Sequence, residues 1–123
     1  MKLLLYAAAT QGAAERLQRI IAPLISERER EIYRTIADLS HRLRQPMSSL
    51  CVAVLLAATR SELSALLSIR ELLADLRLVV ILPDLERETV ARGHTLRPRF
   101  VSHIESDFTD VAAVVNKMLE QER

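Results

Sequence analysis

Three uninterrupted apolar runs punctuate the chain, and between them apolar residues recur at spacings of three and four. The middle run, 50–58, reads Leu-Cys-Val-Ala-Val-Leu-Leu-Ala-Ala and contains no residue suited to water. Half-exposed strands and amphipathic helices both carry polar residues at a fixed period, so a short run without them predicts a strand covered on both faces. The runs at 3–9 and 78–82 have the same character. Strand, helix, strand in this rhythm predicts a parallel sheet wrapped by helices, because parallel neighbours need a right-handed crossover.

Taken in order, residues 2–8 form the first predicted strand, and Gln11 and Gly12 make the turn after it. Leu17, Ile20, Ile21 and Leu24 then fall on one helical face, leaving Glu15, Arg16, Gln18 and Arg19 to solvent, with a kink or early end expected at Pro23. A second strand at 30–34 alternates charge with Ile32 and Tyr33, a pattern suited to a sheet edge. Thr35 reads as the cap of a second helix that carries Ile36, Leu39 and Leu43 and stops at Pro46. After the central run, Thr59 and Glu62 have capping-box spacing, and one long helix is expected to bury Leu63, Leu66, Leu67, Leu73 and Leu76. The strand at 78–82 closes at Pro83-Asp84, and a short polar helix over 85–92 is expected to stop at Gly93, a residue that tolerates the left-handed conformation past a helix end. A fifth strand at 100–104 follows Pro98, and Ser106 or Asp107 would cap a last helix with the stripe Phe108, Val111, Val115 and Met118.

Five strands alternating with five helices predict a flavodoxin-like α/β three-layer sandwich, a five-stranded parallel sheet of order 2-1-3-4-5 with helices on both faces. At 123 residues, half of them hydrophobic, the chain fits a single domain, 1–123, able to bury a core unaided. A net charge of +1 without a basic cluster argues against nucleic acid as partner. The lone Cys51 lies inside the apolar run, so it reads as a buried, inert thiol. No run approaches the roughly 20 residues that span a bilayer, and the charged Glu15 and Arg16 follow the first run too soon for a signal peptide. A cytoplasmic protein without membrane contact is the expectation.

In element order and lengths the whole chain resembles a bacterial response-regulator receiver domain. Receivers carry an acidic pair after the first strand, a phosphorylated aspartate after the third, a threonine or serine after the fourth and a lysine after the fifth. This chain has Ala7-Ala8-Ala9-Thr10, Ala57-Ala58-Thr59, Pro83-Asp84 and Ser102-His103 at those places. The resemblance therefore implies a degenerate receiver without the carboxylates that hold magnesium and accept a phosphoryl group, and no receiver site residue carries over. A second, local resemblance lies in residues 40–46, Ser-His-Arg-Leu-Arg-Gln-Pro, which is similar to the phosphoacceptor box of sensor histidine kinases. It departs from the family at Arg42, where an acidic residue is expected. His41 is thus either a phosphotransfer site on a long helical hairpin or a surface residue of a short helix, and a strand at 50–58 argues for the second.

Candidate chemistry on this fold sits outside the carboxyl ends of the strands, near the switch between the first and third. Thr10, Gly12, Thr59, Arg60 and Asp84 gather there as a candidate ligand site, with Gln11 and His103 near it. Free amides at the first helix and the charge of Arg60 would suit an anion. The same residues are accounted for as two caps, a turn, a solvated arginine and a cap. Asp84 and His103 are the only general acid or base candidates, too few for an active site, so no enzyme activity, cofactor or metal site is expected. The contrasting class is an interaction module. Receivers associate through the fourth helix, fifth strand and fifth helix, and that face here would offer Arg87, Arg92, Arg97, Arg99, Glu105, Asp107 and Asp110 to a protein partner or to a second copy as a homodimer. A receiver-like signalling module is the first expectation; small-molecule or anion binding and phosphotransfer at His41 are the alternatives.

Overall fold

The computed structural model describes residues 2–9, 11–46 and 51–121, the side chain of Cys51 excepted. Thr10 of the candidate ligand site, Leu50 at the head of the central run and the environment of the Cys51 thiol therefore lie outside the described residues. The strands are β1 (Lys2–Ala7), β2 (Arg30–Tyr33), β3 (Cys51–Leu56), β4 (Arg77–Leu82) and β5 (Phe100–His103). The helices are α1 (Ala13–Ile21), α2 (Ile36–Leu43), α3 (Arg60–Ser68), the single turn α4 (Arg70–Leu73), α5 (Arg87–His94) and α6 (Thr109–Gln121). All strand pairs are parallel and the order is β2-β1-β3-β4-β5. This is the flavodoxin-like arrangement the apolar runs predict.

Strand alternation splits the core in two. Leu3, Leu5, Ala7, Val52, Val54, Leu56, Val79 and Ile81 pack with Ala14, Leu17 and Ile21 of α1 and with Val111, Val115 and Met118 of α6. Leu4, Tyr6, Ala53, Leu55, Val80 and Leu82 point the other way, onto Leu39 of α2, Leu63 and Leu66 of α3 and Leu73 of α4. Because β1, β3 and β4 are covered on both faces, their sequences have no polar phase to lose. β2 and β5 are the edges, which is why polar residues survive in them, Arg30 and Glu31 in β2 and Ser102 and His103 in β5.

Local chemistry sets the element ends. Pro23 sits in a 3-10 turn, Ala22–Leu24, that ends α1 at Ile21. The Thr35 hydroxyl accepts from the Asp38 amide at 3.1 Å and caps α2. α2 ends at Leu43, three residues short of the expected stop at Pro46. The long helix expected over 59–76 is broken instead: Ile69 leaves the helical region at φ −113, ψ 20, and the Ser68 hydroxyl donates to the Ala65 carbonyl at 2.5 Å. Serine bonded back to its own helix opens the turn, a competition that hydrophobic spacing does not register. Gly93 is a second difference. It lies inside α5, which runs on to His94, and has no left-handed backbone. A Cβ there would stand 2.7 Å from Leu82 Cδ2, so any larger residue would have to displace the end of that buried leucine.

Candidate functional site

The carboxyl ends of the strands carry a ring of polar groups, and most of them are committed to one another. Gly12, at φ 67, turns the chain into α1, and its carbonyl accepts from the Arg16 amide at 3.1 Å. Only glycine holds that dihedral without strain. The Thr59 hydroxyl accepts from the Glu62 amide and donates to the Glu62 carboxylate, both at 3.1 Å, so the capping box closes through the hydroxyl. Arg60 Nε donates to Asp84 Oδ2 at 2.9 Å, and Asp84 Oδ1 accepts from the Glu86 amide at 2.9 Å. The buried Thr89 hydroxyl and then Arg60 hold the Asp84 carboxyl below its ordinary range. Asp84 therefore ties the β4 end to α3 and α5, and Arg60 is bound to a carboxylate rather than presented to an anion.

Two arginines assigned to solvent or to a strand occupy this end as well. Arg34, just past β2, donates from Nη1 to the carbonyls of Ala7 at 3.1 Å and Ala9 at 2.6 Å. In the amide orientation that satisfies both groups, Gln18 Oε1 of α1 accepts from Arg34 Nη2 at 2.6 Å. A guanidinium thus sits on the carboxyl end of β1. Arg16 lies with its guanidinium carbon 4.6 Å from the Phe108 ring centre and donates to the Ile104 carbonyl at 2.5 Å. Arg16 and Gln18 are half-buried for these reasons, which corrects the expectation that both face water. Neither role was legible locally. The one signal was that Arg34 ends a strand whose neighbour ends in three alanines, leaving room for a long side chain.

The loop from β5 to α6 is fixed by its own side chains. The Ser106 hydroxyl accepts from the Phe108 amide at 3.0 Å, and Asp107 Oδ1 accepts from the Thr109 amide at 3.0 Å and its hydroxyl at 2.8 Å. The Thr109 amide and hydroxyl hold the Asp107 carboxyl below its usual range. Phe108 is held at φ 66, a strained dihedral for this residue, with its ring fully buried in the core. Between this loop and α1 an open hollow of about 490 Å³ is lined by Ala13, Arg16, Ile104, Glu105, Ser106 and Asp107.

The expected interaction residues are divided along β5. Arg97, at φ 56, and Arg99 are exposed before its amino end; Asp107 and Asp110 are exposed beyond its carboxyl end. Arg92 instead donates to the Ser64 hydroxyl at 2.7 Å, joining α5 to α3. His41 is exposed on α2, its Nε2 3.3 Å from Gln45 Nε2, and β3 follows where a helical hairpin would have to continue. His94 closes α5, and His103 closes β5 half-buried. Among the described residues no three histidine, cysteine or carboxylate side chains are placed to hold a metal ion, and no helix is long and apolar enough to cross a membrane. Compared with protein-family models, with curated proteins and with solved structures, the chain matches none.

Proposed function

We propose that the chain is a receiver-like protein-interaction module of the cytoplasm that does no phosphoryl chemistry. The observation that carries this reading is the Arg34 guanidinium seated on the Ala7 and Ala9 carbonyls, where a receiver would present carboxylates to a divalent cation. A fixed cation at that place repels a second one. The neighbouring carboxylates are engaged too, Asp84 by Arg60 and Glu62 by Thr59. The engagement of Arg60 also removes the free cation on which anion binding at the strand ends would depend.

Partner binding is supported by the charge order along the β5 edge. β5 is four residues long, so roughly 13 Å separates its basic amino end from its acidic carboxyl end. That distance keeps the two ends from pairing within one chain and matches a second copy related by a two-fold axis, basic end to acidic end. Such rim charges set orientation more than affinity.

Incubation with acetyl phosphate and magnesium, followed by intact mass and amide spectra, tests the chemical half. No adduct and no shift are expected, and a stable phosphoryl adduct overturns the reading. Sedimentation across a concentration series tests the self-association half: the expected mass rises with concentration, and Arg99→Glu lowers it. A monomer at every concentration removes the second copy as the partner.

A further inference from the structure

The opposite edge of the sheet is built differently. β2 is joined only to β1, and its register sets Arg30 beside Leu3 and Ile32 beside Leu5. These positions share the face covered by α1, and Arg34 continues the alternation, its guanidinium against Gln18 of α1. Ile32 is 38% exposed, one of two large hydrophobic side chains so exposed among the described residues. On this face a hollow of about 250 Å³ opens between α1 and β2, with Leu5, Ile21, Ala22 and Ile32 among its walls.

Among the described residues no carboxylate pairs with the charges beside Ile32: Arg30 donates to the Ala22 carbonyl at 3.2 Å, and Arg34 bonds to two carbonyls and the Gln18 amide. Neighbouring cations have carboxylates: Arg19 pairs with Glu15, and Arg42 with Glu31. The outer side of β2 is therefore a short open ladder whose α1 face reads cation, apolar, cation.

We propose that the β2 edge docks an extended segment of a partner protein with acidic, apolar and acidic residues at alternate positions, added as a sixth strand. The outer amides and carbonyls of β2 supply the ladder, the hollow beside Ile32 takes the apolar side chain, Arg30 faces one carboxylate, and the charge of Arg34, whose guanidinium stays on the Ala7 and Ala9 carbonyls, attracts the other. Directly opposed Cβ atoms in a sheet stand about 4.5–5.5 Å apart, a gap that a carboxylate side chain and Arg30 can span. A second copy does not fit. With Ile32 against Ile32 across a two-fold axis, Arg30 of one chain opposes Arg34 of the other, and like charges so placed repel. The charges that guard this edge against its own kind select for a complementary strand.

Titration of the full chain with two blocked peptides, Glu-Thr-Val-Thr-Glu and Lys-Thr-Val-Thr-Lys, followed by amide spectra, tests this. The acidic peptide is expected to shift β2 and the α1 residues around Gln18 and Ala22, the basic peptide to leave them unmoved, and added salt to weaken the effect. Ile32 is exposed, so Ile32→Glu keeps the fold, and it is expected to raise the dissociation constant about tenfold or more, as is Arg30→Glu. Arg99→Glu, at the far edge, leaves the peptide titration unchanged even where it abolishes self-association, so the two proposals fail separately. Equal shifts from both peptides, shifts centred on β5, or none at millimolar peptide overturn the inference.

Discussion

Replacing Arg34 by alanine removes a side chain that joins the β2 end to β1 and α1. The lost contacts are the donations to the Ala7 and Ala9 carbonyls and the bond with Gln18. A hydrogen bond to a charged group contributes about 1.5–3 kcal/mol net where water is kept out, and little where it is not. The Ala9 bond is exposed and exchanges for water at small cost; the Ala7 bond is partly buried. Counting the Ala7 bond fully and the others lightly, the expected loss is about 2 kcal/mol. Unfolding entropy of about 2.1 cal/mol/K per residue over 123 residues is roughly 0.26 kcal/mol/K, so the melting temperature should fall by about 8 °C. Calorimetry with urea unfolding reads both quantities. Arg34→Lys keeps the charge without the planar fork and should recover about half of the loss. A loss under about 0.5 kcal/mol, or full recovery by lysine, would refute the account of Arg34 as a fitted guanidinium rather than a loose surface charge.

Four further outcomes follow from particular contacts. Thr59→Ala deletes the α3 cap and should cost about 1 kcal/mol in urea unfolding, whereas Thr59→Ser should cost little. Gly93→Ala should destabilise despite the better helix propensity, because its Cβ meets Leu82 Cδ2; Leu82→Val should cost less in that variant than in the parent, and additivity would discard the close-packing account. Around Glu31, bonds from Arg42 first and then from Tyr33 hold the carboxyl below its ordinary 4.5, so its contribution is complete above that value and fades as pH falls through the depressed one; Glu31→Gln should flatten the acid limb of the stability curve. Burial, and then the bond to Glu31, push Tyr33 up to about 12, so its neutral form stabilises the fold below about 10 and that term is lost as pH rises through 12; phenolate absorbance checks this, and an ordinary titration near 10 would contradict it.

Legibility in the sequence followed how locally each feature is caused. Burial on both faces removes every polar residue, so 52–56 and 78–82 were readable as strands without any neighbour being known. The caps at Thr35 and Thr59 were readable because donor and acceptor lie three residues apart. The break at Ile69 was not, since Leu63, Leu66 and Leu73 keep their spacing across it. Of the candidate site, the cap and turn roles of Thr59 and Gly12 were visible, but the pairing of Arg60 with Asp84 joins residues 24 positions apart.

The sequence by itself determined the order of strands and helices, the two-faced core and the alanines, rather than carboxylates, at the ends of β1 and β3, because each depends on residue type and short-range period. Only the tertiary structure decided which side chains reach those strand ends. Arg34 reaches Ala7 across 27 positions, Arg16 reaches Ile104 across 88, and Gly93 packs against a leucine on another element. A long cationic side chain solvates equally well in many directions along a free chain, and its one partner is chosen only when the sheet brings a bare carbonyl within its length.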